Sequence, residues 1–160
     1  QARLRGLAEA QGAAVADTLA RFSPEIERAA ADSGLEPSLI LAVVMEESGG
    51  DPAARSAKGA LGLMQLMPDT ATEVGVADRS SPAQNLSGGA DYLARMLRRY
   101  EGRLDLALAA YNAGPGNVDR AGRAVPGFPE TERYVARVLE RFRGLGGQVD
   151  TGTEIAMDGR

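Results

Sequence analysis

The chain of 160 residues contains no histidine, no cysteine and no tryptophan. Without histidine, neither a Ser-His-Asp nor a Cys-His catalytic arrangement can form, and a metal site cannot use imidazole ligands. Without cysteine, disulfides and thiolate zinc sites are excluded. Acid–base chemistry must therefore come from carboxylates, from the four tyrosines, from the single lysine Lys58 or from the substrate itself.

The sequence also lacks an excess of charge of one sign. Its net charge of −4 at pH 7 provides no general attraction to nucleic acid or to an anionic membrane surface. No apolar run is long enough to span a bilayer, and no signal-peptide pattern is present. We therefore expect one globular domain with no nucleic-acid partner and no membrane span. Because the chain starts at Gln1 rather than Met, we expect an export signal to have been removed.

Helix signals are present along most of the chain, and no segment alternates with a period of two. The sequence therefore predicts an all-α fold. Three regions are expected: an Ala-rich helical extension over residues 1–22, a main domain over 23–143 and a flexible Gly-rich tail over 144–160. Capping residues predict helix starts at Ser23-Pro24 and at Asn85.

The segment 37–48 joins seven consecutive apolar residues, 39–45, to two carboxylates, Glu46 and Glu47. At roughly 100° per residue, Glu47 falls in the middle of an apolar arc, whereas Glu46 falls at its edge and is expected to be solvated. Burial of a carboxyl raises its pKa, and a protonated carboxyl near neutral pH can act as a general acid. The alternative is that Glu47 ends a helix and reaches solvent, and this segment alone leaves both interpretations open.

A set of short motifs, spread in order over about residues 23–142, resembles the soluble lytic transglycosylase family. The motifs are Glu47-Ser48-Gly49, Ala54-Arg55-Ser56, Gly59-Ala60, Gly62-Leu63-Met64-Gln65, Met67-Pro68-Asp69-Thr70-Ala71, Asn85-Leu86, Tyr92-Leu93, Ala110-Tyr111-Asn112-Ala113-Gly114, Glu130-Thr131 and Tyr134-Val135.

The resemblance implies a lysozyme-like helical domain whose central buried helix bears the catalytic glutamate. This residue directly precedes serine in the family, which identifies Glu47. Further positions are implied to bind substrate or to line the cleft: Ser56, Met64, Gln65, Tyr111, Asn112 and Glu130. Among these, Tyr111 is expected to hydrogen-bond near Glu47, with Asn112 supporting that corner.

The implied reaction cleaves the β-1,4 bond from N-acetylmuramic acid to N-acetylglucosamine in peptidoglycan, with formation of a 1,6-anhydro product and no metal or cofactor. Two alternatives stay open: a goose-type lysozyme that hydrolyses the same bond, and a non-catalytic peptidoglycan-binding scaffold module. We expect an exported monomer in the periplasm or cell envelope. The chain's compact size favours a specialised role in the assembly of a flagellum or secretion system.

Overall fold

The computed structural model describes residues 2–149. In chain order its helices are α1 (Ala2–Gln11), α2 (Ala13–Ser33), α3 (Pro37–Glu47), α4 (Pro68–Glu73), α5 (Pro82–Arg99), α6 (Leu104–Ala113), α7 (Pro115–Arg120) and α8 (Pro129–Gly144). Within this part of the chain, β structure is limited to two isolated bridges in the loop between α3 and α4. The all-α prediction is confirmed. None of the described helices is both long and apolar enough to cross a membrane.

Helix α3 forms the centre of the molecule. Every residue from Ser38 to Met45 is buried, because α2 and α8 pack against it. A helix that is apolar on all sides is stable only when other helices surround it in this way. Pro37 occupies the first turn of α3, where its missing N–H costs no hydrogen bond. The helix ends at Glu47, so the only charged residues of α3 lie at its exit from the core.

Helix α2 consists of two helical segments that meet at a kink, and the second segment begins near the predicted start at Ser23-Pro24. Phe22, with φ −121° and ψ 15°, lies at this kink. Pro24 explains it, since its ring removes one backbone donor and clashes with the preceding turn. Helix α2 ends at Ser33, and Gly34 follows it with a left-handed φ of 82°.

The two ends of the described chain lie against each other. Ala8 of α1 is fully buried, and Leu7 packs against the core. Leu145, directly after α8, is only 3% exposed, and a Cβ added to Gly146 would lie 3.0 Å from Leu7 Cδ1. The start of the predicted flexible tail, 144–160, therefore packs against the protein. Residues 150–160 of that tail lie outside the described residues.

The predicted N-cap at Asn85 is wrong. Helix α5 begins at Pro82, and Ser81 is its N-cap, accepting a hydrogen bond of 3.3 Å from the backbone N–H of Gln84. Asn85 lies inside the first turns and is fully buried. Its amide holds the loop between α3 and α4, which carries several of the predicted site residues.

Candidate active site

Glu47 is the last residue of α3, where the buried helix meets the loop that follows it. Burial raises the pKa of the Glu47 carboxyl from 4.5 to about 7. The neighbouring charges of Glu46 and Glu130 raise this pKa further, whereas the hydroxyl of Tyr134 lowers it. Glu47 is therefore not a freely solvated helix-end residue. Near neutral pH it exchanges readily between the acid and the carboxylate, as a group that both donates and accepts a proton must.

Tyr134 of α8 contacts Glu47, and sequence analysis assigned it no role in the site. Its side chain is buried, at 6% exposure, and its hydroxyl makes no hydrogen bond of good geometry to another described residue. The effect of this hydroxyl on the Glu47 pKa therefore reflects a long or poorly aligned contact. Burial and the charge on Glu47 hold the pKa of Tyr134 well above its usual value. The sequence feature that could have identified Tyr134 as a site residue was its place on the inward stripe of α8, in a chain with only four tyrosines.

Tyr111 of α6 lies close enough to Glu47 to interact with it electrostatically. Its pKa is well above the ordinary value, first because it is buried and second because of the charge on Glu47. The Tyr111 hydroxyl donates a hydrogen bond of 2.8 Å to the backbone carbonyl of Met64. Its ring also contacts that of Tyr92, with 5.7 Å between the centroids. The structure thus places Tyr111 beside Glu47 and uses its hydroxyl to hold the loop.

The side chain of Met64 does not line a cleft, contrary to the prediction. Met64 is fully buried, and a Cβ added to Gly89 of α5 would lie only 2.5 Å from its sulfur. The glycine in α5 makes room for this side chain, which belongs to the core. What Met64 offers the site is its backbone, whose carbonyl accepts from Tyr111 and whose N–H donates to Asn85 over 2.7 Å.

Gln65 and Ser56 lie in the same loop, and their polar groups hold its shape. The Gln65 side-chain amide donates two hydrogen bonds of 2.9 Å, to the carbonyls of Ala54 and Gly62. Its backbone has a φ of 53°, which is costly for a residue other than glycine and needs such support. Ser56 is exposed, and its hydroxyl accepts from the backbone N–H of Ala60 at 2.9 Å. The remaining lone pair of the Ser56 hydroxyl and the side-chain oxygen of Gln65 are available to bind a ligand.

Two residues outside the predicted set brace this loop. Asn85 donates to the carbonyls of Leu61 and Arg79 at 2.9 and 2.8 Å, in addition to accepting from Met64. Arg79 donates to the carbonyls of Gly59 and Leu66 at 2.8 and 2.7 Å. Buried carbonyls in a segment without helix or strand need partners of this kind.

Asn112 and Glu130 come from α6 and α8 and lie at their junction. The hydroxyl of Thr131 donates a hydrogen bond of 2.8 Å to the side-chain oxygen of Asn112, which ties the two helices together. Glu130 is exposed in the first turn of α8, and its charge raises the pKa of Glu47. Glu47, Tyr111, Asn112 and Glu130 therefore lie in one region of the molecule.

Two further features of residues 2–149 bear on where a site could lie. No group of three or more aspartate or glutamate side chains in this range could hold a metal ion. A concavity of about 460 Å³ between α2 and α5 contains none of the predicted site residues. It is lined by Pro24, Arg28 and Val76 among others, and the chemistry of Glu47 lies elsewhere.

The structure is thus a helical domain with a partly buried glutamate at the end of its central helix, the arrangement of lysozyme-like proteins. Residues 24–133 match the family model described as the transglycosylase SLT domain. The chain therefore belongs to the SLT transglycosylase family.

Known proteins with similar sequences or folds support this placement. Membrane-bound lytic murein transglycosylase F of Desulfosudis oleivorans is 45% identical over 106 residues, which are 62% of this chain and 23% of that protein. A transglycosylase of Enterobacteria phage PRD1 is 38% identical over 122 residues, 76% of this chain and 43% of that protein. The crystal structure of an inactive mutant of lytic transglycosylase Slt from Pseudomonas aeruginosa superposes with a TM-score of 0.71. It is 32% identical and covers 85% of this chain, which in turn covers 26% of Slt.

The matched region is only part of each of these relatives. The chain spans from about a quarter to less than half of their length. What is shared is the domain that carries the glutamate and the loop facing it.

Proposed function

We propose that this domain is a peptidoglycan lytic transglycosylase and that Glu47 is its catalytic acid and base. The observation that carries the proposal is the partly buried Glu47 carboxyl, whose pKa is raised to about 7 between tyrosines of α6 and α8. Relatives and structural neighbours named as lytic transglycosylases support the same chemistry.

One carboxyl suffices for the reaction if the substrate supplies the other groups. Protonated Glu47 donates its proton to the oxygen that links muramic acid to glucosamine, and the bond from that oxygen to C1 breaks. The N-acetyl oxygen of the muramic residue stabilises the positive charge that develops at C1. The Glu47 carboxylate then removes the proton of the C6 hydroxyl as O6 bonds to C1. The 1,6-anhydro ring forms, no water is consumed, and Glu47 regains its proton.

Intramolecular attack is favoured because the C6 hydroxyl already belongs to the reacting ring, so no separate water needs to be captured and oriented. The buried surroundings of Glu47 also limit access of water to its carboxyl. We assign substrate contacts to Ser56, Gln65, Asn112 and Glu130, and assign to Tyr111 the position of the loop beside Glu47. A metal or organic cofactor has no step in this reaction.

We further propose that the protein acts as a monomer on peptidoglycan strands in the periplasm or cell envelope. Residues 23–143 would carry the activity, with α1 as a stabilising extension. We also assign the protein a role in opening the wall for a flagellum or secretion system. Capture of flagellar or secretion-system proteins from envelope extracts by the Glu47→Gln variant tests this role.

Digestion of purified sacculi, followed by mass spectrometry of the muropeptides, tests the activity. The expected products end in 1,6-anhydromuramic acid, lack a reducing end and are one water lighter than hydrolysis products. Glu47→Gln should release none, whereas the matched control Glu132→Gln, at an exposed site on α8, should release them normally.

Either of two other results would overturn the proposal and identify a different function. Products that all end in reducing muramic acid identify a goose-type lysozyme. Tight binding to sacculi without release of any product identifies a scaffold module.

A further inference from the structure

The carboxylate next to the proposed catalytic residue is held in an unexpected way. Glu46 was expected to be solvated, yet its side chain is only 14% exposed. Arg141 donates from its Nε to Glu46 Oε1 at 3.3 Å, and an Arg137 guanidinium nitrogen lies 3.6 Å from Oε2. Each oxygen of this carboxylate therefore faces a different arginine.

Both arginines belong to the helix that also contacts Glu47. Arg137 and Arg141 are four residues apart and so lie on one face of α8. Tyr134, three residues before Arg137, lies on the same side and contacts Glu47. Helix α8 thus meets the end of α3 with a tyrosine against Glu47 and two guanidinium groups against Glu46. Adjacent carboxyls therefore have different surroundings, since Glu47 faces a tyrosine and Glu46 faces two guanidinium groups.

We propose, on the basis of the proposed function, that Arg137, Glu46 and Arg141 form a positioning cluster. It clamps α8 to the end of α3, and its fixed charges set the pH range in which Glu47 works. Glu46 is a positioning residue because it does not need to touch substrate to act through Glu47.

The direction of each effect follows from charge. The anion of Glu46 makes ionisation of Glu47 less favourable, whereas the two guanidinium groups offset that anion. The other groups facing Glu47 are Tyr111 from α6, and Tyr134 and Glu130 from α8. Variants of the cluster leave these groups in place.

Profiles of glycan-cleavage rate against pH for cluster variants test the proposal. Glu46→Gln removes the anion, so the limb at which activity falls with rising pH should move to lower pH. Arg141→Gln leaves the anion with one partner fewer, so this limb should move to higher pH. A movement of about half a pH unit in each case changes the rate roughly threefold on the falling limb.

Matched variants separate charge from packing. Glu140→Gln removes an exposed carboxylate from the same surface of α8, beside Arg141, and should leave the limb where it is. Arg141→Lys keeps the charge. Its activity should therefore fall at the same pH as that of the wild type, even if the melting temperature is lower. A cluster that only supports the fold would reduce the rate of Glu46→Gln and Arg141→Gln at every pH and leave the limb unmoved.

The carbon NMR titration of the Glu47 carboxyl in the same variants makes the test independent of activity. Opposite movements of the Glu47 midpoint in Glu46→Gln and Arg141→Gln support the cluster's electrostatic role even if the wild-type protein cleaves no glycan. In that case only the proposed function fails. Midpoints that move in the same direction, or that do not move, overturn the inference whether or not glycan is cleaved.

Discussion

The hydroxyl of Tyr111 donates its hydrogen bond to the backbone carbonyl of Met64, 47 residues earlier in the chain, and not to Glu47. The bond joins α6 to the loop between α3 and α4 at the point where Gln65 adopts a φ of 53°. Tyr111 thereby holds the loop against α6. Its nearness to Glu47 is a consequence of that placement.

Replacing Tyr111 with phenylalanine should therefore loosen the loop. The Met64 carbonyl would lose its partner in a buried place, at a cost of about 1–3 kcal/mol in stability. Glycan cleavage should slow by about tenfold or more, the scale on which positioned polar groups contribute. Unfolding in urea and rates on sacculi measure the two effects. Unchanged values for both would mean that the hydrogen bond holds nothing the site needs.

Replacing Tyr134 with phenylalanine should alter the protonation of Glu47. The hydroxyl interacts with the ionised carboxyl and lowers its pKa, so its removal should raise the Glu47 pKa above about 7. The falling limb of the pH–rate profile should therefore move to higher pH. Tyr100→Phe is a suitable control, since that hydroxyl bonds Pro115 and Asp119 instead. A limb that moves to lower pH would contradict the role assigned to Tyr134.

Glu47→Gln should change stability in a pH-dependent way. The pKa of Glu47 is about 7 in the folded protein against 4.5 for an ordinary glutamate, so its ionisation costs stability as pH rises through this window. Glutamine stays neutral. The variant should match the wild type below about pH 4.5 and exceed it above about pH 7, by up to roughly 3 kcal/mol. Unfolding curves at the two ends of the window measure this, and a difference independent of pH would refute it.

Asn85→Ala should damage the loop without touching the proposed catalytic groups. Asn85 makes three hydrogen bonds in a fully buried place, to Met64, Leu61 and Arg79. Their loss should cost on the order of 3 kcal/mol or more and increase amide exchange around Met64. Asn117→Ala, which removes a hydrogen bond to the Ala113 carbonyl and an exposed one from Arg120, should cost only about 1 kcal/mol. Similar losses in both variants would mean that Asn85 is not the main brace.

The sequence predicted those features that depend on local pattern. Helical spacing placed Glu47 on the inward arc of an apolar helix, and the structure shows that this helix is buried. Family motifs identified the loop and the residues at the junction of α6 and α8.

Features that depend on contacts between distant residues could not be predicted in the same way. Glu46 binds an arginine 95 residues later, and no local pattern indicates that contact. Met64 was assigned to the cleft through the family resemblance, whereas Gly89 leaves space for its side chain in the core. Asn85 has the residue type of an N-cap, but Ser81-Pro82 begins the helix earlier and leaves its amide free to bind the loop.

The most direct test of the account is the ionisation of Glu47 itself. Carbon NMR of protein labelled at glutamate carboxyls, with Glu47→Gln used to assign the resonance, gives its titration midpoint. The account predicts a midpoint near 7, because desolvation at the end of α3 outweighs the contact with Tyr134. A midpoint near 4.5, the ordinary value, would show that Glu47 is solvated and ionised at neutral pH, and Glu47 could not then be the acid that starts the reaction.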